Sequence, residues 1–89
     1  MLTNKQIKLI NSLHTKKGRK ETNLFLVEGE KGINELQSSQ YHIKLMVLNE
    51  TLANIPGVPA ETELYLLPEV EIIKLSSLTN NTFGFAVVQ

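Results

Sequence analysis

The sequence contains no cysteine and no aspartate, and it has only two histidines, His14 and His42. Without cysteine the fold has no disulfides and no thiol nucleophile, and without aspartate it cannot assemble a Ser-His-Asp triad. Two histidines that lie far apart in the chain also argue against a metal site. We therefore expect a chain that binds no metal and that is not an enzyme on its own.

Long apolar runs and nucleotide-binding loops are absent as well. No apolar stretch approaches the roughly 20 residues that cross a membrane, and the N-terminal MLTNKQIKLI lacks the continuous apolar region of a signal peptide. Neither a GxGxxG motif nor a GxxxxGK motif followed by Ser or Thr occurs. The 89 residues, 42% hydrophobic and 20% charged, are typical of one small globular domain. We expect a cytoplasmic location and no membrane partner.

Charge is unevenly distributed along the chain, although the formal net charge is zero. Residues 1–35 carry seven cations and four acids, whereas residues 36–89 carry two cations and five acids. From Lys5 to Lys20 there are six cations and no acid, a local field that attracts phosphate groups. The alternative explanation is an ordinary solvated helix face and loop.

The pattern of the first 23 residues predicts one helix followed by a charged loop. Thr3 and Gln6 form a capping box, so a helix is expected to begin near Asn4. Gly18 is suited to the left-handed residue at the end of that helix. Residues 16–23 are then expected to form a cationic loop that leads into the first strand.

Four short apolar runs in the remaining sequence predict four strands, at residues 24–27, 43–48, 63–67 and 84–88. The first run is continuously apolar, which predicts a strand covered on both faces. Helices are expected after the turn at Glu28 and Gly29 and again from Pro68, with a weak helical turn at residues 50–54. Prolines and a glycine make residues 55–62 a loop. This alternation predicts an α/β domain with helices on both faces of one sheet.

Three successive segments, IKLINSLHTKKGRKETNLFLVEGEKGINEL, IKLMVLN and LYLLPEVEIIKLSSLTNNTFGFAVV, resemble a known family. In this order they are similar to the N-terminal substrate-binding domain of the SpoU (TrmH-type) RNA 2′-O-ribose methyltransferases. The resemblance rests on the cationic segment that ends in Arg19, the strand after it, and the turn at Glu28 and Gly29. In the closing segment, the family usually has a proline and a glutamine or asparagine where this chain has Thr82 and Phe83.

The resemblance implies a single three-layer α/β/α sandwich with a mixed four-stranded sheet, like that of the ribosomal proteins that bind kink-turns in RNA. Residues 1–89 would be the RNA substrate-binding domain of a methyltransferase that acts on rRNA or tRNA, and structured RNA would be its partner. A C-terminal knotted domain, absent from this chain, would bind S-adenosylmethionine, carry the catalytic residues and form a homodimer. No cofactor is expected in residues 1–89.

Two groups of residues are candidates for RNA contacts. The first is the cationic segment, in which phosphate contacts are expected from Lys16, Lys17, Arg19 and Lys20, with Lys5 and Lys8 extending the patch along the first helix. The second is the turn at Gly29, where amide groups at the start of a helix and Lys31 are expected to hold a phosphate or a base.

Each candidate also has a purely structural interpretation. Arg19 could pair with Glu28 or Glu30 and orient the cationic loop. Gly29 could be present only because the turn requires a positive φ. For the whole domain, the alternatives are a protein-interaction or dimerisation module and a free-standing RNA-binding protein of the ribosomal type.

Overall fold

The computed structural model of the chain describes residues 1–52, 54–77 and 80–89. In order, the elements are α1 (Asn4–Ser12), α2 (Lys16–Thr22), β1 (Phe25–Glu28), α3 (Gly29–Leu36), β2 (Ile43–Asn49), β3 (Glu63–Leu67), α4 (Glu69–Leu75) and β4 (Gly84–Val88). Each predicted strand is present, and no strand end is displaced by more than one residue. The helical turn predicted at residues 50–54 includes residue 53, which lies outside the described residues.

The four strands form one mixed sheet in the order β1-β4-β2-β3. β2 runs parallel to β3, and β4 runs antiparallel to both β1 and β2. The C-terminal ends of β1, β2 and β3 therefore all lie on the same side of the sheet, and β4 begins on that side. The predicted mixed four-stranded sheet is confirmed, while the likeness to kink-turn-binding ribosomal proteins stays a prediction.

Helices cover both faces of this sheet, so the predicted three layers are confirmed. Ile10 of α1 and Ile72 of α4 pack with Phe85 and Val87 of β4 on one face. On the other face, Ile33 of α3 packs with Ala86 and Val88, the residues of β4 that alternate with Phe85 and Val87. This division follows from the strand geometry, because successive side chains point to opposite faces.

β1 differs from its prediction as a strand covered on both faces. All four of its residues are only half-buried, whereas every residue of the central strand β4 is buried. The reason is its position in the sheet, because β1 pairs with β4 on one side and forms the edge on the other. The apolar run identified the strand correctly but did not distinguish a central position from an edge.

The capping box at the start of α1 is confirmed. The Thr3 amide donates to Gln6 Oε1 at 2.8 Å, and the Gln6 amide donates to Thr3 Oγ1 at 3.1 Å. α1 ends at Ser12, earlier than predicted. Gly18 is therefore not its C-terminal stop.

The predicted cationic loop is wrong, because Lys16–Thr22 is the helix α2. Thr15 caps this helix by accepting from the Gly18 amide at 3.0 Å, and Asn23, at φ 59°, ends it in the left-handed conformation. Gly18 is buried, and a Cβ built there would lie 2.0 Å from the Ser12 carbonyl oxygen. Glycine is thus required for α2 to approach the end of α1 closely, a packing role that the local sequence does not reveal.

Candidate functional site

The cationic segment becomes one face of α2. At about 3.6 residues per turn, Lys16 and Lys20 lie opposite buried Gly18 and half-buried Thr22, with Lys17 and Arg19 on the two flanks, and all four of these cations are exposed. We call this set the cationic helix face; it consists of Lys16, Lys17, Arg19 and Lys20. α1 packs against α2, and its two predicted contact residues, Lys5 and Lys8, are also exposed.

Arg19 is tied to the end of α1 rather than to a carboxylate. Its guanidinium Nη1 donates to the Leu13 carbonyl oxygen at 3.0 Å. Glu28, the first of the two acids considered as a partner, accepts instead from Ser77. Among the residues that the structure describes, the pairing of Arg19 with Glu28 or Glu30 is therefore not formed, and Arg19 stays anchored with its charge available at the surface.

A groove of about 590 Å³ lies at the edge of the sheet where β1 ends and β4 begins. Gly29 and Glu30 line one side, and Ser77, Asn80, Thr82 and Phe83 line the other. We call it the Gly29 groove. In open α/β sheets, ligands bind outside the carboxyl ends of the strands, which is where this groove lies.

A smaller cavity of about 280 Å³ adjoins the Gly29 groove. Ser77 lines both of them, and Arg19, His14 and Glu28 also line the smaller one. Ser77 thus lies between the Gly29 groove and a cavity that Arg19, of the cationic helix face, also lines.

Gly29 has φ 88°, and a Cβ built there would meet nothing within 4 Å. The turn therefore requires glycine for its backbone conformation and not for space, as the structural interpretation of Gly29 expected. The N-cap residue of α3 is Glu28, yet no side chain caps the first turn. Uncapped amide groups at a helix N-terminus attract anions, so the positive φ is compatible with a binding role for this turn, which stays a prediction.

Lys31 lies on the exposed side of the first turn of α3. It borders a neighbouring depression together with Glu30, Asn34 and Glu35, and it does not line the Gly29 groove itself. Lys31 is therefore placed to act on an anion from the side of the groove rather than from within it.

Two buried asparagines fix the wall of the groove opposite Gly29. Asn81 Nδ2 donates to the Gly84 carbonyl at 2.8 Å, and its Oδ1 accepts from the Phe83 and Gly84 amides. Asn49, at the end of β2, donates through Nδ2 to the Thr82 carbonyl at 2.8 Å. Sequence analysis missed both residues; the only available signal was an amide side chain at a strand end.

Glu28 supplies a third constraint that sequence analysis missed. Its carboxylate accepts from the Ser77 amide at 2.9 Å and from the hydroxyls of Ser77 and Ser76 at 2.5 and 3.3 Å. Glu28 belongs to β1 and the two serines follow α4, so this contact spans 49 positions of sequence. No local pattern predicts a contact between residues so far apart.

The aromatic and histidine side chains have mainly structural positions. His14 Nε2 lies 2.7 Å from the Leu75 carbonyl oxygen, so the ring is satisfied by the backbone. Tyr41 packs edge-on against Phe25, with ring centroids 5.3 Å apart. Phe83 is half-buried against the core on the α3 side and also lines the Gly29 groove. Phe83 is therefore the aromatic residue placed at the candidate site.

In residues 1–52, 54–77 and 80–89, no helix is long and apolar enough to cross a membrane. Within the same residues, no group of three or more histidine, cysteine or acidic side chains could hold a metal ion. The described lining of the Gly29 groove offers polar side chains and the aromatic ring of Phe83.

Comparison with known proteins identifies relatives of this fold. The family model of the MRM3-like substrate-binding domain matches residues 4–84. A solved structure assigned to the TrmH family of RNA methyltransferases, from Porphyromonas gingivalis, matches with a TM-score of 0.85 and 30% identity over 100% of this chain. The SpoU methyltransferase AviRb from Streptomyces viridochromogenes, solved with AdoMet, matches with a TM-score of 0.75 and 16% identity over 98% of this chain. No curated protein matches the sequence.

The sheet, its helices and these matches define a substrate-binding domain of the SpoU/TrmH type. The chain belongs to the family of MRM3-like substrate-binding domains. The predicted fold class and the predicted relationship to SpoU/TrmH methyltransferases are therefore confirmed. The chain spans 36% of the length of each of the two solved structures, and the RNA-contact residues stay predictions.

Proposed function

We propose that this domain recognises the RNA substrate, rRNA or tRNA, of a 2′-O-ribose methyltransferase. The observation that carries the proposal is the cationic helix face, whose four cations are exposed and whose Arg19 also lines the cavity next to the Gly29 groove. Membership in a family of substrate-binding domains supports it. Exposed cations attract RNA phosphates, and the groove offers polar groups to bases.

In this proposal the cationic helix face and the Gly29 groove contact different parts of the RNA. Lys16, Lys17 and Lys20 are free to approach phosphates, while Arg19 is anchored at the side nearer the groove. Lys5 and Lys8 extend this charge along α1. In the Gly29 groove, the amides of the first turn of α3 would receive a phosphate or a base edge, and Phe83 would offer a surface for stacking.

The methyl transfer itself would take place elsewhere in a longer protein. The chain covers 36% of each solved relative, which supports a longer protein. In this proposal a second, knotted domain would bind S-adenosylmethionine, carry the catalytic residues and dimerise. The cofactor would supply the methyl group there, and we assign none of residues 1–89 to it. A cytoplasmic location is part of the same proposal.

The test is a salt titration of binding to structured rRNA or tRNA. Five or six phosphate contacts predict a log–log salt slope of about −4, at roughly 0.7 per phosphate on a single strand. In the variant Lys16→Ala/Lys17→Ala/Arg19→Ala/Lys20→Ala, the slope should become shallower by about 3, at roughly 0.7 for each of the four contacts. This variant should also lose most of its affinity for RNA. The control, Lys44→Ala/Lys74→Ala, removes the two cations of residues 36–89 and should bind like the parent.

Circular dichroism of all three proteins separates lost binding from lost folding. Binding by the parent that hardly changes between low and moderate salt would contradict the electrostatic part of the proposal. No binding by a folded parent would overturn RNA recognition by this domain.

A protein-interaction module is the second candidate, and exposed apolar side chains favour it. Leu64 and Leu66 lie on the edge strand β3 and are 38% and 45% exposed. Their β2 partners, Met46 and Leu48, belong to the core on the α3 side. Leu64 and Leu66 therefore extend the apolar surface of that face beyond the buried core. Self-association that Leu66→Lys abolishes, in a chain that binds no RNA, would favour this function.

A native gene that encodes only this domain would favour the third candidate, a free-standing RNA-binding protein of the ribosomal type.

A further inference from the structure

The wall of the Gly29 groove that follows α4 is joined to β1 through one carboxylate. Glu28 accepts from the Ser77 amide at 2.9 Å and from the Ser77 hydroxyl, so both hydrogen-bond donors of that residue are used. The Ser76 hydroxyl also donates to Glu28, at 3.3 Å. Ser77 is a lining residue of the groove, so its position there depends directly on Glu28.

The same set of hydrogen bonds continues to the start of β4. Asn81 Nδ2 donates to Ser76 Oγ at 3.1 Å and to the Gly84 carbonyl at 2.8 Å. The Ser76 hydroxyl can donate to Glu28 and accept from Asn81 at the same time. Glu28, Ser76, Ser77 and Asn81 therefore form one connected network, which we call the Glu28 clasp.

The clasp also affects the opposite wall of the groove. Glu28 is the N-cap residue of α3, but its side chain bonds to Ser77 and not to the first turn of the helix. The amides of that turn are consequently left without a side-chain cap. A single side chain thus holds one wall in place and leaves the other wall able to bind an anion.

We propose that Glu28 is a positioning residue for RNA binding in the Gly29 groove. It does not contact RNA in this proposal, and its charge is satisfied by three donors, which makes an acid tolerable beside a polyanion. Through the clasp it fixes Ser77 and Asn81, and through them the shape of the groove before RNA arrives. The inference rests on the proposed function.

The sign of the effect on affinity distinguishes positioning from simple electrostatics. Removing a negative charge near RNA should strengthen binding if charge alone matters. We expect Glu28→Ala to weaken binding by about tenfold at unchanged salt slope, because no phosphate contact is removed. The matched control Glu35→Ala removes an equal charge from an exposed position on α3 and should bind equally well or slightly better.

Glu28→Gln provides the conservative variant, because its amide oxygen can still accept from the Ser77 amide. We expect it to recover a large part of the affinity that Glu28→Ala loses. Hydrogen exchange of the Ser77 amide, measured without RNA, should accelerate at least tenfold in Glu28→Ala and less in Glu28→Gln. These readouts report the clasp itself, and thermal unfolding of each variant confirms that binding is compared between folded proteins.

Three results would overturn the inference. One is a Glu28→Ala variant that binds as well as Glu35→Ala, with the parent binding RNA normally. Another is a rate of hydrogen exchange at the Ser77 amide that is the same in Glu28→Ala as in the parent. The third is a folded parent that binds no RNA, which removes the proposed function together with the role of Glu28. If Glu28→Ala does not fold, Glu28→Gln is compared with Glu35→Gln by both Ser77 amide exchange and affinity, and values that match Glu35→Gln in both measurements reject the positioning role.

Discussion

The cationic helix face and the Gly29 groove differ in what they offer a ligand. The helix face has four exposed cations on a seven-residue helix. The groove has a defined volume of about 590 Å³, but its described lining includes Glu30 and no cation. The cationic helix face therefore offers positive charge but little concave surface, whereas the Gly29 groove offers a concave surface but no cation among its described lining residues.

This difference corresponds to two separate tasks in RNA recognition. Contacts to phosphates supply salt-dependent affinity with little regard to sequence, while contacts to exposed bases supply specificity. If both regions serve one RNA, changes on α2 should alter affinity and salt dependence together. Changes at the groove should alter affinity and selectivity without changing the salt slope.

The largest effect is expected when α2 is displaced with all its cations kept. Gly18→Ala places a Cβ 2.0 Å from the Ser12 carbonyl oxygen, and the backbone must move. Such overpacking costs typically 1–3 kcal/mol. We expect a lower unfolding midpoint and a loss of RNA affinity of at least about tenfold, which thermal melts and binding titrations would measure.

Gly57→Ala is the control for this change. A Cβ at Gly57 would meet only the Gln37 Nε2 atom, at 3.9 Å, so stability and binding should stay close to those of the parent. If Gly18→Ala were as stable as Gly57→Ala and bound RNA equally well, the position of α2 would not matter and charge alone would explain binding.

The next effect concerns the conformation of the groove. Gly29→Ala forces a side chain into φ 88°, which costs roughly 1–2 kcal/mol. We expect a several-fold loss of RNA affinity, with the salt slope unchanged because every cation remains. Gly29→Asn should lose less, since asparagine tolerates positive φ better. A salt slope that falls with Gly29→Ala would mean that the two regions do not act separately.

Reversing the charge of Lys31 gives a smaller expected effect. Lys31→Glu should reduce RNA affinity a few-fold and lower the salt slope by about 0.7, the value for one phosphate contact. The matched control is Lys44→Glu, an exposed position near the start of β2, at the opposite end of that strand from Asn49. Equal losses in the two variants would indicate a general charge effect and would exclude Lys31 from the site.

The smallest effects are expected from α1. Lys5→Ala and Lys8→Ala, tested one at a time, should each reduce RNA affinity about twofold and the salt slope by at most about 0.7. Both side chains are exposed, so the unfolding midpoint should not change. No effect from either change would confine the electrostatic contact to α2.

Local sequence signals were sufficient for the start of α1 and for the positions of the four strands along the chain. The capping box at Thr3 and the apolar runs are short-range patterns with a direct physical cause. α2 was missed because a glycine among lysines favours a loop by propensity. The stability of α2 comes instead from the cap at Thr15 and from packing of Gly18 against Ser12.

The candidate site was predictable only in part, for a related reason. Cations and a strand-to-helix turn are visible locally, so the sequence presents Arg19 and Gly29 as candidates. The residues that shape the groove act through partners distant in sequence, as Glu28 does with Ser77 and Asn49 does with Thr82. Only the three-dimensional register of the sheet brings such residues together.

The place of β4 in the sheet has a consequence for how the domain is made. β4 is the last strand in the sequence, yet it lies between β1 and β2, which do not pair with each other. During synthesis, the ribosome must therefore release residues 84–88 before β1 can join the sheet. Until then the nascent chain exposes the apolar sides of β1 and β2, so a chaperone that shields these strands would act before residues 84–88 emerge.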